Sequence, residues 1–147
     1  MWAWWNTLYI GNLNALRDWG HAKDYVEAKW KILQQDEPED YVISTGRQTS
    51  VKNFIQLACK SIGWGELKWI GKGLDEIGVR ESDNKVIVRI DERYFRPSEV
   101  EALLGDSRKA NEKLNWWPKI SLEELIKEMV DFDMKEAKKE IMLSKKV

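Results

Sequence analysis

The sequence is poor in residues that build disulfide bonds and metal sites. It contains one cysteine, Cys59, and one histidine, His21, among 147 residues. A single cysteine forms neither an internal disulfide nor a thiolate zinc site, and a single histidine adds no cluster of ligands. The composition therefore predicts no metal site and favours a reducing, cytoplasmic setting.

Long apolar runs and an excess of one charge are also missing. No stretch reaches the uninterrupted length of a membrane span, and 24 Lys and Arg balance 25 Asp and Glu. We therefore expect neither nucleic acid nor a membrane as partner, but a small molecule. The apolar start "MWAWWNT" has no basic segment, so we expect no signal peptide. With 43% hydrophobic residues and three prolines, the chain is predicted to form one globular unit.

Tryptophan, in contrast, is abundant, with nine residues. We interpret most of them as anchors of a core or an interface. The alternative is a platform on which a sugar stacks, formed by Trp2, Trp4 and Trp5. No flanking turn residues are present to hold that platform in place.

The spacing of apolar residues predicts alternating strands and helices. Strands are predicted over 8–13, 40–46, 66–71 and 85–90, with a polar loop between the last two. Helices are predicted from Asp24 to Gln35 and over 51–63, 107–115 and 121–142. Asp24 and Ser50 are the predicted N-caps, Ser121 and Glu124 have the spacing of a capping box, and the tail from Leu143 is expected to fray.

This alternation indicates an α/β fold, but the strands are too few for a sheet covered on both faces. The segment 41–45 has the pattern of a strand buried on both faces, and such strands normally join a larger parallel sheet. The sequence therefore predicts an α/β unit that lacks part of its sheet.

Two stretches resemble a known family in their order and spacing. They are "RDWGHAKDYV" (17–26) and "YFRPSEV" (94–100), the latter followed by "LLGD" and "KLNWWP". From about residue 8 to about residue 130 the chain resembles the C-terminal part of the GDP-mannose 4,6-dehydratases, which are extended short-chain dehydrogenases/reductases. The resemblance implies the substrate-binding portion of a Rossmann-type fold, lacking most of the cofactor-binding sheet.

The resemblance also divides the chain. Residues 1–7 form an atypical N-terminus, 8–132 the nucleotide-sugar-binding portion, and 133–147 a C-terminal helix and tail. The family carries a cofactor-binding half before the matched region, so we expect this sequence to be a fragment, a truncated product or a subunit half. The expected partners are GDP-mannose and a separate cofactor-binding half, with assembly as a homodimer or tetramer.

The chemistry implied by the resemblance belongs to the GDP-fucose pathway. Bound NADP oxidises the C4 hydroxyl of the hexose, water is lost across C5 and C6, and the hydride returns to C6. The family's glycine-rich fingerprint and its catalytic Tyr-x-x-x-Lys lie in the other half. We therefore expect no catalytic residue and no bound NADP in this chain alone, which is predicted to be inactive by itself. The alternative is a non-catalytic fragment or interaction module.

Two local patterns resemble the glycine-rich fingerprint and the Tyr-x-x-x-Lys motif that are expected in the other half. "GWGELK" (63–68) has G-x-G spacing, but it follows a helix and lacks a third glycine, so we interpret it as a loop. Tyr25 and Lys29 form a Tyr-x-x-x-Lys pair on a predicted helix. We interpret this pair as coincidental, with Tyr25 packing and Lys29 solvated.

The substrate-binding residues implied by the resemblance are Arg17, Arg96 and Glu99. The two guanidiniums suit a diphosphate, because their forks of donors match phosphate oxygens. Glu99 would accept from the ring N–H and the amine of guanine, with Pro97 stiffening the segment. The alternatives are a surface pair between Arg17 and Asp18, and an acidic helical turn at Glu99.

The remaining polar residues of the two stretches have other expected roles. Asp18 and His21 are predicted to hold a turn. Arg93, Tyr94 and Asn12 are weaker candidates for contact with the ligand.

Overall fold

A computed structural model describes residues 7–96, 100 and 102–144. Its strands are β1 (Leu8–Ile10), β2 (Leu16–Asp18), β3 (Gln48–Ser50), β4 (Leu67–Ile70), β5 (Ile77–Arg80) and β6 (Lys85–Ile90). Its helices are α1 (Ala22–Leu33), α2 (Val51–Ser61), α3 (Arg108–Leu114) and α4 (Leu122–Ser144). The α/β class predicted from the sequence is confirmed.

Four of the strands form a sheet in the order β1-β6-β5-β4. β1 runs parallel to β6, with Leu8 opposite Val88, and the other two pairs are antiparallel. The sheet and α2 bury a cluster, here called the sheet cluster, of Leu13, Cys59, Leu67 and Val88. β2 and β3 form a separate antiparallel pair beside it.

A second buried cluster lies between α1 and α3. This Trp116 cluster contains Ala28, Ala110, Leu114 and Trp116, with Tyr25, Ile32, Tyr41 and Ile43 packed against it. Trp116 is fully buried, and its indole Nε1 donates to the carbonyl oxygen of Asp24 at 2.9 Å. The polar atom of the large side chain is therefore satisfied inside the core.

Two of the predicted helix starts are confirmed. The Ser50 hydroxyl accepts from the Asn53 amide at 3.1 Å at the beginning of α2. At α4, the Ser121 hydroxyl accepts from the Glu124 amide at 3.2 Å, and the Glu124 carboxylate accepts from the Ser121 amide at 2.8 Å. This exchange is a capping box.

The prediction that Asp24 caps α1 is wrong. The helix begins earlier, and its N-cap is His21, whose Nδ1 accepts from the Lys23 amide at 3.0 Å. Asp24 lies in the first turn and points inward, where its carboxylate accepts from the amides of Lys119 and Ile120, each at 3.0 Å. The sequence favoured Asp24 because capping by histidine is less common than capping by aspartate.

The strand predicted over 40–46 is also wrong. These residues belong to no strand, and the Ser44 hydroxyl donates to the Gly105 carbonyl at 2.9 Å instead of the segment joining a ladder. The polar loop predicted before Lys85 instead contains β5, where Gly78 and the flanking charges obscured the pattern. β1 ends at Ile10 rather than at residue 13.

The predictions for the two ends of the chain are tested only in part. Leu143 and Ser144, predicted to fray, continue α4, while residues 1–6 and 145–147 lie outside the described residues. α4 runs without a break across the predicted division at 132 and 133, so the division of the chain stays a prediction. Among the described residues, no helix has the length and apolar character needed to cross a bilayer.

Candidate functional site

Arg17 occupies the middle of β2, where pairing with Thr49 of β3 fixes its backbone. Its Nη1 donates to the carbonyl oxygens of Leu16 at 2.8 Å and of Val100 at 3.0 Å. These bonds orient the guanidinium and connect β2 to the segment that follows Arg96.

The turn that carries Arg93 and Arg96 is anchored on the end of β1. The Asp91 amide donates to the Ile10 carbonyl at 2.9 Å, and the Tyr94 amide donates to the Asp91 carbonyl at 3.0 Å. A β-carbon at position 11 would overlap the Tyr94 carbonyl oxygen, so the turn packs this closely only because residue 11 is glycine. A parallel bridge between Leu16 and Ala102 then returns the chain to β2.

These contacts create a cleft of about 410 Å³, here called the arginine cleft. Its lining residues come from β1 and the loop after it, β2, the start of α2 and the turn after β6: Ile10, Gly11, Asn12, Ala15, Arg17, Trp19, Val51, Arg93, Tyr94 and Arg96. Three of them are arginines and none carries a carboxylate. The cleft is therefore a cationic site suited to an anionic ligand.

The arginines of the cleft differ in their partners. Arg93 forms a two-pronged pair with Asp91, at 3.1 Å from Nε and 2.6 Å from Nη2, and these hydrogen bonds lower the pKa of the Asp91 carboxyl. Arg96 is exposed and makes no hydrogen bond or ion pair with the described residues. Because Asp91 already compensates Arg93, Arg93 is a weaker candidate than Arg96 for binding an anion.

The structure thus brings together two of the three predicted substrate-binding residues, Arg17 and Arg96. Glu99 and Pro97 lie outside the described residues, and the roles assigned to all of them stay predictions. Asn12, Tyr94 and Arg93, with weaker claims, also line the cleft.

Sequence reasoning missed the apolar wall of the cleft, formed in part by Trp19 and Val51. The Trp19 indole packs against Phe54, with ring centroids 4.4 Å apart, and its Nε1 donates to the Thr49 carbonyl at 3.0 Å. The position of Trp19 two residues after Arg17 is the signal that could have found it, since alternate residues of a strand share a face and Trp19 directly follows the end of β2.

Two aspartates of "RDWGHAKDYV" hold the edges of a larger, second cleft of about 570 Å³. The Asp18 carboxylate accepts from the Thr45 and Gly46 amides at 2.9 and 3.0 Å, which fixes one edge. Asp24 fixes the opposite edge through residues 119 and 120. Asp18 therefore holds a distant loop instead of the turn predicted for it, whereas His21 holds the start of α1.

Tyr25 and Lys29 do not form a catalytic pair in this structure. Burial, followed by the carboxylates of Asp18 and Asp24, raises the pKa of the Tyr25 phenol. A general base needs the opposite shift, and Lys29 is exposed. Among the residues that the structure describes, no group of His, Cys, Asp and Glu side chains is arranged to hold a metal ion.

Solved structures define the class of protein. UDP-glucose 4-epimerase from Thermotoga maritima, solved with UDP-glucose, aligns with a TM-score of 0.66 and 26% identity over 89% of this chain and 36% of its own. RMD from Pseudomonas aeruginosa, solved with NADPH, aligns with a TM-score of 0.63 and 16% identity over 86% of this chain and 35% of its own. The fold is therefore part of the Rossmann-type fold of the extended short-chain epimerases and dehydratases.

Sequence comparisons narrow the class to one family. The family model described as GDP-mannose 4,6 dehydratase matches residues 5–129, and the chain belongs to that family. GDP-mannose 4,6 dehydratase 2 of Caenorhabditis elegans is 55% identical over 85% of this chain and 32% of its own length. GDP-mannose 4,6-dehydratase of Yersinia enterocolitica is 49% identical over 92% of this chain and 39% of its own. The chain thus spans about a third of the length of these relatives.

Proposed function

We propose that this chain supplies the GDP-sugar-binding part of a GDP-mannose 4,6-dehydratase and that the arginine cleft receives the diphosphate. The observation that carries the proposal is the convergence of Arg17 and Arg96, which are far apart in sequence, on one cleft whose described lining residues include no carboxylate. Family membership makes GDP-mannose the proposed substrate.

The two arginines have complementary tasks in this proposal. Arg17 is held in the cleft wall by backbone carbonyls, which orient its guanidinium, whereas Arg96 is exposed and would reach the ligand from the other side. Charge-assisted hydrogen bonds to phosphate oxygens are worth about 1.5–3 kcal/mol each. Two such contacts sum to about 3–6 kcal/mol, which corresponds to dissociation constants from about 6 mM to about 40 μM.

The proposal also assigns a role to Glu99 in recognising guanine and a role to NADP in the reaction. Glu99 would distinguish guanine, whose N–H and amine both donate, from uracil, which presents no such pair. The complete enzyme would use NADP to oxidise the hexose at C4, lose water across C5 and C6 and return the hydride to C6, in the cytoplasm and as a homodimer or tetramer. In support, RMD, a fold relative, was solved with NADPH.

Titration calorimetry of the 147-residue chain with GDP tests the binding site directly. We expect Arg17→Ala and Arg96→Ala each to weaken GDP binding by about 10- to 150-fold, which corresponds to one charge-assisted contact. The matched control is Arg108→Ala, because Arg108 is exposed, pairs with Asp106 and does not line the cleft. Equal affinities for all three variants would remove the arginines from the site.

A comparison of nucleotides tests the other contacts. We expect GMP, which lacks the β-phosphate, to bind more weakly than GDP and to respond less to Arg96→Ala. UDP should bind more weakly than GDP, and Glu99→Gln should reduce that difference. If UDP and GDP bind equally, Glu99 does not recognise the base.

A chimaera tests the activity. The matched 125 residues of the C. elegans relative are replaced by the corresponding residues of this chain, and formation of the 4-keto-6-deoxy product from GDP-mannose is measured with NADP. We expect an active chimaera, and loss of kcat/KM in its Arg17→Ala form. The 147-residue chain alone is expected to form no product above a heat-killed control.

The second candidate, a non-catalytic interaction module, would give a different result. It predicts an inactive chimaera that folds as stably as the parent relative. The cationic cleft favours the first candidate, because an interaction module has no need of Arg17 and Arg96 at one anion-binding site.

A further inference from the structure

The second cleft is larger than the arginine cleft, and the proposed function does not use it. Its volume of about 570 Å³ lies within the range of small-molecule sites, which is roughly 300–1,000 Å³. Its lining residues come from 45–49 and from 107–123, together with Trp19. The cleft therefore has the size of a second ligand site.

An exposed tryptophan is held in this cleft on a fixed backbone. Just before it, the Trp116 carbonyl accepts from Nδ2 of Asn111 at 2.7 Å, and just after it, the amides of residues 119 and 120 donate to the Asp24 carboxylate at 3.0 Å. Trp117 itself lines the cleft and is 58% exposed. A large aromatic ring on a preorganised backbone offers its face to a ligand at little cost in conformational entropy.

Polar side chains without a partner surround this ring. Among the described residues, no group bonds to the guanidinium of Arg47 or to the hydroxyls of Thr49 and Ser107, all of which line the cleft. The same holds for the carboxylate of Glu123 and for Oδ1 of Asn111. The cleft therefore offers both donors and acceptors to a ligand.

The charges of the second cleft balance, in contrast to those of the arginine cleft. Arg47 and Glu123 are opposite in sign, and Lys119 is paired with Glu27 at 2.5 Å. A diphosphate needs an excess of cations, so the balance favours a neutral ligand. A sugar fits this lining, because each hydroxyl both donates and accepts and the apolar C–H face of a pyranose ring packs on an indole.

We infer that the second cleft binds a neutral pyranose sugar, which stacks on Trp117 and bonds to Arg47, Asn111 and Glu123. The inference does not rest on the proposed function, because it uses none of the arginines of the arginine cleft. Trp19 lines both clefts. The experiment must therefore distinguish a separate sugar site from an extension of the arginine cleft.

NMR of the 15N-labelled chain tests the stacking. The indole Nε1–H signals, assigned from single Trp→Phe variants, are followed while methyl α-D-glucopyranoside or methyl α-D-mannopyranoside is added. We expect a saturable shift of the Trp117 signal with a roughly millimolar dissociation constant, and no shift of Trp30, which does not line the cleft. Sorbitol, which has hydroxyls but no ring, is the control ligand. No saturable shift with either glycoside, or an equal shift with sorbitol, would overturn the inference.

Variants test the individual contacts. Trp117→Ala is expected to weaken glycoside binding by at least about tenfold, and Arg47→Ala and Glu123→Gln by about three- to tenfold each. Trp30→Ala is the matched control, since Trp30 is 62% exposed, and it should bind normally. All four variants should keep the thermal transition of the parent chain. Equal binding by all of them would remove these side chains from a sugar site.

Competition separates the two clefts. The glycoside titration is repeated with GDP and with GDP-mannose, each at saturation, and we expect an unchanged dissociation constant in both cases. Displacement of the glycoside by GDP-mannose but not by GDP would make the second cleft an extension of the arginine cleft and would overturn the separate site. GDP binding is measured in the same samples, so the two proposals fail separately.

Discussion

The two buried clusters of the molecule are held together in different ways. The sheet cluster lies under paired strands and α2, whose backbone groups satisfy one another along the ladders. The Trp116 cluster lies beside segment 41–44, which forms no strand with the described residues, and depends on side chains that bond to backbone, chiefly Asp18, Asp24 and Trp116. The first region is held by backbone ladders, whereas the second depends on a few specific polar contacts.

The two regions also differ in their relation to the proposed binding site. The arginine cleft is built from β1, β2 and the turn after β6, close to the sheet cluster. Segment 41–44, which forms no strand with the described residues, belongs to the second region. Because the Trp116 region depends on a few specific polar contacts, we expect substitutions there to lower the free energy of unfolding more than substitutions around the sheet cluster.

The largest expected effect follows from removing the fully buried indole. Trp116→Ala should lower the free energy of unfolding by about 3–5 kcal/mol, because it leaves a cavity and the Asp24 carbonyl loses a donor. Trp117→Ala is the matched control, since the neighbouring indole is 58% exposed. Urea unfolding monitored by circular dichroism measures both, and equal destabilisation would contradict the assignment of Trp116 to the core.

The next effect concerns the carboxylate that holds the second cleft. Asp24→Ala should lower the free energy of unfolding by about 1–3 kcal/mol, because the amides of residues 119 and 120 lose their acceptor. Asp36→Ala, at an exposed position, should change stability by less than about 0.5 kcal/mol. The thermal transitions of the two variants provide the comparison, and a shift of equal size in both would show that Asp24 holds nothing.

A smaller effect is expected in the region of the sheet cluster. Ser50→Ala removes the cap of α2 and should lower the free energy of unfolding by about 1 kcal/mol. Ser82→Ala, in the exposed turn between β5 and β6, is the control. If Ser50→Ala destabilised the chain more than Asp24→Ala, the contrast between the two regions would be reversed.

The smallest effect is a dependence on pH shared by both regions. Hydrogen bonds from Arg80 and Arg108 lower the pKa values of Asp83 and Asp106 from 3.8 to about 2. A pKa depressed in the folded state adds stability above the unfolded value, and this stability is lost as the pH falls from about 4 to about 2. Asp83→Asn and Asp106→Asn should therefore lower Tm slightly at pH 6 and not at pH 2, and less so in high salt. Equal shifts at both pH values would contradict this linkage.

The sequence predicted most of the helices, because Ser50 and the Ser121–Glu124 pair are strong local signals. It failed where tertiary contacts override local preference. Asp24 looks like a cap in sequence, but its amide partners lie about 95 residues away. Residues 40–46 have the pattern of a strand but join no ladder among the described residues, and Gly78 hid β5.

The candidate site was predicted through resemblance more than through pattern. Nothing in the spacing of Arg17 and Arg96 shows that they meet, since their meeting depends on the close approach of the Tyr94 carbonyl to Gly11 and on the bridge at Leu16. The aromatic wall at Trp19 was missed because tryptophans were interpreted as core residues.

The most direct test of the account observes the arginine side chains themselves. In 15N-labelled protein, the Nε–Hε signals of arginine are followed by NMR while GDP is added, with assignments from single Arg→Lys variants. The account predicts that the signals of Arg17 and Arg96 shift with the same dissociation constant, while that of Arg108 stays in place. Shifts at Arg108 of the same size, or none at Arg17 and Arg96 when GDP is bound, would contradict the claim that this cleft receives the diphosphate.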